Sequence, residues 1–122
     1  MTRVTAVLAA ALVALALAVS ALGGRASTSL VGTVGPGFTI HLTQGGKAVK
    51  TLKAGTYTFV IHDKASIHNF VVEQESGGKF EKDLTDVPFT GTKTVKVTLK
   101  KGKWKFYCKP HEAQMFGFFT VK

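Results

Sequence analysis

Apolar and polar residues alternate along several short stretches of the chain after residue 27. Phe38, Ile40 and Leu42 alternate with polar residues, and the same period of two recurs over residues 56–62. This period is typical of β-strands with one buried face, and glycine-containing turns separate the stretches. No long segment has the helical period. The pattern predicts an all-β domain, either a two-sheet antiparallel sandwich or a barrel.

The C-terminal half shows the alternation most clearly. The predicted inward side chains of two successive strands are Val95, Val97, Leu99, Trp104, Phe106 and Cys108. The predicted outward side chains are Lys96, Lys103, Lys105 and Tyr107. Cys108 is therefore expected to end a strand and to point inward. The stretch 73–91 is expected to be a long excursion across one end of the fold.

Residues 1–26 have the composition of a secretory signal peptide. Arg3 precedes an apolar run over residues 4–22, and small residues follow up to Ala26. This order predicts cleavage after Gly23 or Ala26, and hence a protein that is periplasmic, extracellular or at the cell surface. The alternative is an uncleaved membrane anchor, because a transmembrane helix needs about 20 apolar residues. Residues 27–122 are then the folded domain.

Cys108 is the only cysteine of the chain, so no internal disulfide can form. A small exported domain without disulfides depends on its core or on a metal for stability. Cys108 is followed within eight positions by His111 and Met115. Two imidazoles, a thiolate and a weak axial thioether are the ligands of blue-copper sites. His68 opens another predicted strand, which could neighbour the Cys108 strand, and would supply the second imidazole.

Two motifs together resemble the cupredoxin, or type 1 blue copper, family, and in particular its small plastocyanin-like and amicyanin-like members. The motifs are His68-Asn69-Phe70 and Tyr107-Cys108-x-Pro110-His111-x3-Met115-x-Gly117. The resemblance covers nearly the whole chain after residue 27. It implies a Greek-key β-sandwich, preceded here by the apolar leader, with one copper ion near one end.

The resemblance also implies a role for each matching residue. His68, Cys108 and His111 correspond to the equatorial ligands, and Met115 corresponds to the axial ligand. Asn69 corresponds to a residue that joins the two ligand loops by hydrogen bonds. Pro110 fixes the backbone between two ligands and has no N–H group, which suits a tight loop. The spacing of three residues between His111 and Met115 differs from four in plastocyanins and two in amicyanins, and Lys109 replaces a small polar residue.

Other interpretations of the same residues remain. Zinc is the rival metal, although structural zinc sites use Cys and His, and methionine is a poor ligand for zinc. Cys108 and Met115 could instead be ordinary core residues. Phe116, Phe118 and Phe119 could screen the metal from water or form the core of the last strand. His41 and His62 alternate with inward residues and are expected at the surface.

Two classes of function compete on this evidence. The first is a mobile carrier of single electrons that cycles one copper between Cu(II) and Cu(I), and the second is a copper-delivery protein. A metal-free adhesive sandwich is a third, weaker hypothesis. We expect no enzymatic activity, because the chain has no paired catalytic carboxylates, no nucleophile with a base and no second cysteine for a two-copper centre.

The formal net charge is +9, and lysines are concentrated between residues 93 and 109. Acidic residues lie instead at Glu73, Glu75, Glu81, Asp83 and Asp86, which predicts a dipolar protein. Such a field could steer an acidic redox partner or an anionic cell surface, or could serve solubility alone. A nucleic-acid partner is not expected, because no recognition motif is present. We expect a monomer.

Overall fold

The computed structural model describes residues 28–122, which form two five-stranded β-sheets. The strands are β1 Ser29–Val34, β2 Ile40–Gln44, β3 Lys47–Ala48, β4 Thr51–Leu52, β5 Gly55–Asp63, β6 Val71–Gln74, β7 Glu81–Asp83, β8 Gly91–Leu99, β9 Gly102–Tyr107 and β10 Phe116–Val121. One sheet has the order β3-β2-β1-β5-β8, and the other has the order β4-β10-β9-β6-β7. The predicted all-β sandwich is confirmed.

Each sheet contains one parallel pair, which the alternation did not reveal. β1 lies parallel to β5, and β10 lies parallel to β4, whereas the other neighbours are antiparallel. The connection between β1 and β5 therefore passes through β2, β3 and β4. Crossings between two sheets are typical of Greek-key sandwiches.

Apolar side chains from both sheets form one core. Trp104 and Phe59 are fully buried, and the ring of Trp104 stacks on Phe119 with a centroid distance of 6.1 Å. The indole Nε1 of Trp104 donates a hydrogen bond of 2.9 Å to the carbonyl of Lys100, so the buried ring leaves no unpaired donor. This packing provides the rigid base under the end of β9, where Cys108 lies.

The pairing of β6, β9 and β10 determines what lies beside Cys108. Tyr107, the last residue of β9, is opposite Val71 at the start of β6 and opposite Phe116 at the start of β10. The segments before β6, after β9 and before β10 therefore meet at one end of the sheet. The prediction that the strand following His68 neighbours the Cys108 strand is confirmed.

Three local predictions were wrong in detail. Phe38 precedes β2 and is exposed, because a turn over residues 35–38 interrupts the alternation. His68 lies before β6 and does not open it. The stretch 73–91 contains β7, which pairs with the edge of β6. The predicted outward side of Tyr107 is confirmed, and the residue is nevertheless buried because its hydroxyl bonds to Glu81.

The predicted signal peptide, residues 1–26, lies outside the described residues. Among residues 28–122, no helix is long and apolar enough to cross a membrane. Within that same range, the helical structure consists of a short 3-10 helix at Lys109–His111.

Candidate metal centre

The four predicted ligands come from the segments that meet at the end of β6, β9 and β10. His68 lies in the loop between β5 and β6, and Cys108 follows β9 directly. His111 ends the 3-10 helix, and Met115 immediately precedes β10. Two strand ends and one short loop therefore position the four side chains. Three of the residues are close in sequence, and folding brings His68 to them, as expected.

Three donor atoms converge within this group. The Nδ1 atoms of His68 and His111 are 3.1 Å apart. The Sγ atom of Cys108 lies 3.7 Å from the first nitrogen and 3.6 Å from the second. The centre of such a triangle is about 2 Å from each corner, close to the ~2.0–2.3 Å bonds that imidazole and thiolate make with a transition metal. The spacing therefore fits one metal ion.

His111 is more exposed to solvent than the other three candidate ligands. His68 and Cys108 are 0% exposed and Met115 is 1% exposed, whereas His111 is half-buried. The site is therefore closed on the protein side and reaches the surface through the imidazole of His111. Met115 lies on the loop beside the converging donors, and its role as the axial ligand stays a prediction.

Backbone hydrogen bonds tighten the loop from Cys108 to Met115. The amide of His111 donates to the carbonyl of Cys108 at 3.1 Å, and the amide of Met115 donates to the carbonyl of His111 at 2.9 Å. The amide of Cys108 in turn donates to the carbonyl of Met115 at 3.0 Å. Pro110 lies in the first turn of the 3-10 helix, where a missing N–H costs no hydrogen bond. The loop is thus closed on itself.

Phe38 is a site residue that the sequence analysis missed. Its ring packs edge-on against both imidazoles, with centroid distances of 5.5 Å to His68 and 4.9 Å to His111. The side chain is nevertheless 56% exposed. Its position after Gly35-Pro36-Gly37 was the available signal, since this turn-forming sequence breaks the strand pattern before residue 38.

The lysine-rich stretch is partly neutralised next to the site. Lys109 Nζ lies 3.0 Å from Asp83 and 3.4 Å from Glu81, and Lys105 pairs with Glu112 at 2.7 Å. The hydrogen bond from Lys109 to Asp83 raises the pKa of the ammonium group. The predicted separation into a basic and an acidic region therefore does not extend to Lys105 and Lys109.

Tyr107 and Glu81 form a further pair beside the ligand loop. The hydroxyl of Tyr107 donates a hydrogen bond of 2.7 Å to Glu81 Oε1. Burial, and then this bond, raise the pKa of Tyr107 above its ordinary value. The same bond lowers the pKa of Glu81. The tyrosine thus remains a neutral donor, and the carboxylate remains charged to a lower pH.

The remaining histidines lie elsewhere, as predicted. His41 is exposed, and His62 hydrogen bonds with Thr92 at 3.0 Å on the outer side of β5. In residues 28–122, the group of His, Cys, Asp or Glu donors that converge closely enough for a metal is His68, Cys108 and His111. Two imidazoles and one thiolate suit copper in both oxidation states.

Comparisons with known proteins agree with this geometry. The sequence matches the family described as copper binding proteins, plastocyanin/azurin family, over residues 41–122. No curated protein sequence matches the chain. The fold is similar to that of rusticyanin, with a TM-score of 0.57, 16% identity, and coverage of 81% of this chain and 80% of rusticyanin.

Two further solved structures share the fold. Auracyanin A, a "blue" copper protein from the green thermophilic photosynthetic bacterium Chloroflexus aurantiacus, gives a TM-score of 0.52 at 15% identity and covers 77% of this chain and 98% of its own. A point mutant of amicyanin, in its reduced Cu(I) form, gives a TM-score of 0.51 at 16% identity and covers 82% of this chain and 88% of its own. The chain therefore belongs to the plastocyanin/azurin family of copper-binding proteins, and its cofactor is a single copper ion.

Proposed function

We propose that this protein is an exported, non-enzymatic electron carrier in which His68, Cys108, His111 and Met115 hold the copper ion. The observation that carries the proposal is the convergence of three donor atoms at a place where His68 and Cys108 are fully buried. Copper supplies a one-electron Cu(II)/Cu(I) couple. Four protein donors would leave no ligand position for a substrate, which argues against catalysis.

The rigidity of the ligand loop supports electron transfer over copper delivery. The loop bonds among Cys108, His111 and Met115, and the strand pairs beneath them, hold the donors in place. Donors that do not move keep reorganisation small when the charge of the site changes by one electron. A delivery protein needs a site that opens to release its ion, and the burial of three of the four donors opposes release.

An apolar rim around His111 supports electron exchange at this end of the molecule. Phe38 covers the ring edges, Ile67 precedes His68, and both are more than half exposed. Val87 is also exposed, and it lies in a surface groove whose other lining residues are mostly polar or charged: Asn69, Asp83, Asp86, Lys109 and Pro110. We propose that a redox partner approaches His111 across this rim, because apolar contacts allow close approach without desolvating charges.

The charge pattern supports an acidic partner or an anionic surface. Five lysines form no salt bridge among the described residues: Lys93, Lys96, Lys100, Lys101 and Lys103. Their positive field would raise the overall rate of encounter with an acidic redox protein more than the affinity for it. Lys100 and Lys101 lie in the turn before β9, at the opposite end of that strand from Cys108, so this part of the field would not direct the partner to His111. We propose that the protein works as a monomer on the outer side of the cytoplasmic membrane.

The test is the visible absorption and EPR spectrum of the purified protein, expressed from the full chain, with one equivalent of Cu(II). We expect an intense band in the red region and a narrow copper hyperfine splitting, both reversed by a mild reductant. Cys108→Ser and His111→Gln should lose the band, whereas His41→Gln, at an exposed histidine, should keep it. A weakly coloured ordinary Cu(II) spectrum would contradict electron transfer and favour copper delivery.

A further inference from the structure

Exposed lysines gather at the end of the sandwich that lies away from the candidate ligands. Cys108 follows the last residue of β9, so Gly102, the first residue of β9, marks the opposite end of that strand. At about 3.3 Å per residue, the two ends of β9 are about 20 Å apart. The β8–β9 turn, the end of β10, the turn before β5 and the loop after β6 all lie at the Gly102 end. These segments carry the five exposed lysines of what we call the basic end: Lys53, Lys79, Lys100, Lys101 and Lys122.

Contacts between these segments fix the surface that carries the lysines. The amide of Ala54 donates a hydrogen bond of 2.9 Å to the carbonyl of Lys122, which joins the turn before β5 to the end of β10. Lys79, in the loop after β6, and Lys100, in the β8–β9 turn, line the same surface hollow. The positive charges therefore belong to one continuous part of the surface.

The basic end has little compensating negative charge. None of its lysines forms a salt bridge among residues 28–122, where the ion pairs belong to Lys105 and Lys109. In the segments that carry the five lysines, residues 53–54, 75–79, 100–101 and 122, the acidic side chain is that of Glu75. Asp83 and Asp86 lie at the opposite end, in the groove beside the ligand loop. The net positive charge is therefore available to an anionic partner.

The position of the basic end argues against a redox protein as this partner. The ring of His111 reaches the surface beside Cys108, at the other end of β9. A redox protein bound at the basic end would lie about 20 Å or more from Cys108. An extended anionic surface at the same place would instead leave His111 open to a redox protein.

The N-terminal segment joins the domain on the side away from the copper. β1 runs parallel to β5 toward the copper end, where Val34 pairs with Asp63 and a Cβ atom at Gly35 would lie 3.0 Å from the ring of His68. The chain therefore enters β1 from the other direction, through Thr28. Residues 23–27 separate the apolar run 4–22 from Thr28, and five extended residues span at most about 18 Å. A membrane that holds this run would be nearer to the basic end than to the copper.

We propose that the basic end is a docking surface for an anionic lipid membrane and that it orients the protein with His111 directed away from the lipid. Clusters of about four to eight lysines and arginines are typical of surfaces that bind anionic lipid headgroups. Each lysine close to such a membrane strengthens binding by about fivefold. The inference rests on the proposed function in one respect, namely that electrons pass through His111.

The test is sedimentation of the purified protein, expressed from the full chain, with two kinds of vesicle. One kind contains phosphatidylglycerol and phosphatidylcholine, and the other contains phosphatidylcholine alone. We expect tighter binding to the anionic vesicles, and the difference should disappear at high salt, because salt screens exposed charges. Where the apolar run is retained, its insertion contributes to both measurements and cancels in the comparison. Equal binding to the two kinds of vesicle would overturn the proposal and favour an acidic protein as the partner.

Charge variants test whether the basic end is the surface that binds. Lys100→Gln combined with Lys101→Gln should weaken binding to the anionic vesicles by about 25-fold, at about fivefold for each lysine. The fold should be retained, because Trp104 donates its hydrogen bond to the carbonyl of Lys100 and not to the side chain. Lys93→Gln combined with Lys96→Gln removes the same charge from exposed positions on β8 and should have a clearly smaller effect. Equal effects of the two double variants would overturn the proposal.

The orientation is read from a spin-labelled lipid in bicelles that contain phosphatidylglycerol, with ¹⁵N-labelled protein in the reduced state. The amide signals of Lys79 and Lys101 should lose intensity, whereas those of Lys109 and Glu112, in the ligand loop, should not. Loss of intensity concentrated in residues 109–115 would overturn the proposal, because the copper end would then face the lipid. Failure of the proposed function would appear separately, as a protein without the thiolate–copper band, since the vesicle measurements do not depend on copper.

Discussion

The side-chain oxygen of Asn69 accepts a hydrogen bond of 2.8 Å from the backbone amide of Lys109. Asn69 follows His68 directly, and Lys109 follows Cys108 directly. One hydrogen bond therefore joins the two loops that carry the converging donors. Because Asn69 is buried and the loops lie 40 positions apart in the chain, the bond constrains the distance between the two ligands.

We predict that Asn69→Ala lowers the free energy of unfolding by about 1–3 kcal/mol, because the amide of Lys109 loses its acceptor. Urea denaturation of the metal-free protein measures this effect. The visible absorption band and the EPR signal of bound copper should also broaden, because the two loops can move apart once the hydrogen bond is removed. Asn69→Asp keeps the acceptor oxygen and should preserve the spectrum. A narrow, unchanged spectrum in Asn69→Ala would show that the loops are held by other contacts.

Phe38 shields the imidazoles from solvent, so its removal should affect the redox potential. Phe38→Ala exposes His68 and His111 to water, which stabilises the oxidised and more highly charged state of the site. We therefore expect a lower reduction potential by cyclic voltammetry. Phe38→Leu retains apolar cover and is the matched control. Equal potentials in the three proteins would contradict a shielding role.

The sequence was sufficient to predict the sandwich and the candidate ligands, and the reason is physical. Alternation reports which side chains are buried, and Trp104, Phe106 and Cys108 do face the core. Cys108 and His111 are three positions apart, so their proximity follows from chain connectivity. The approach of His68 could be inferred because an apolar strand follows it, and that strand pairs with β9.

Contacts between distant segments could not be predicted in this way. Phe38 reaches the histidines because the β1–β2 turn folds over the end of the sandwich, and alternation carries no information about turns. Tyr107 has an outward position in its strand but is covered by β7, a strand that the sequence did not indicate. Asp63 is a charged residue at a buried position, and only the fold shows that its Oδ1 atom accepts a hydrogen bond from the amide of Ala65.

The hydrogen bond between Tyr107 and Glu81 predicts a pH-dependent contribution to stability. Because the folded-state pKa of Glu81 lies below 4.5, the charged bond stabilises the protein above that pH and is lost as the pH falls through the lowered pKa. Tyr107→Phe should therefore lower the free energy of unfolding by about 0.5–1.5 kcal/mol at pH 7. The cost should shrink at acidic pH, as measured by urea denaturation over a pH series.

Tyr57→Phe is the matched control for this series. The hydroxyl of Tyr57 donates a hydrogen bond of 2.7 Å to the carbonyl of Lys53, which does not titrate. The loss of unfolding free energy caused by Tyr57→Phe should therefore be constant over the same acidic range. If the cost of Tyr107→Phe is also constant, the bond to Glu81 does not depend on the charge of the carboxylate.

Gly117 leaves room for the ring of Phe106 beside the ligand loop. A Cβ atom at Gly117 would overlap Cζ of Phe106, and Phe106 stacks on Phe70 at a centroid distance of 5.9 Å. We predict that Gly117→Ala displaces this ring and costs about 1–3 kcal/mol of unfolding free energy. Gly37→Ala, where no atom lies within 4 Å, should be nearly neutral. Similar thermal denaturation of the two variants would contradict this packing argument.

Met115 provides the most direct test of the fourth ligand. The side chain of Met115 is buried, and its backbone is hydrogen-bonded to both Cys108 and His111. Met115→Leu should therefore fold, with a decrease in unfolding free energy below about 1.5 kcal/mol. If the thioether is the axial donor, its loss removes a ligand that stabilises Cu(II), and the reduction potential should rise while the thiolate band remains. Voltammetry and the visible spectrum measure the two effects together. An unchanged potential with an unchanged band would make Met115 a core residue and reduce the ligand set to His68, Cys108 and His111.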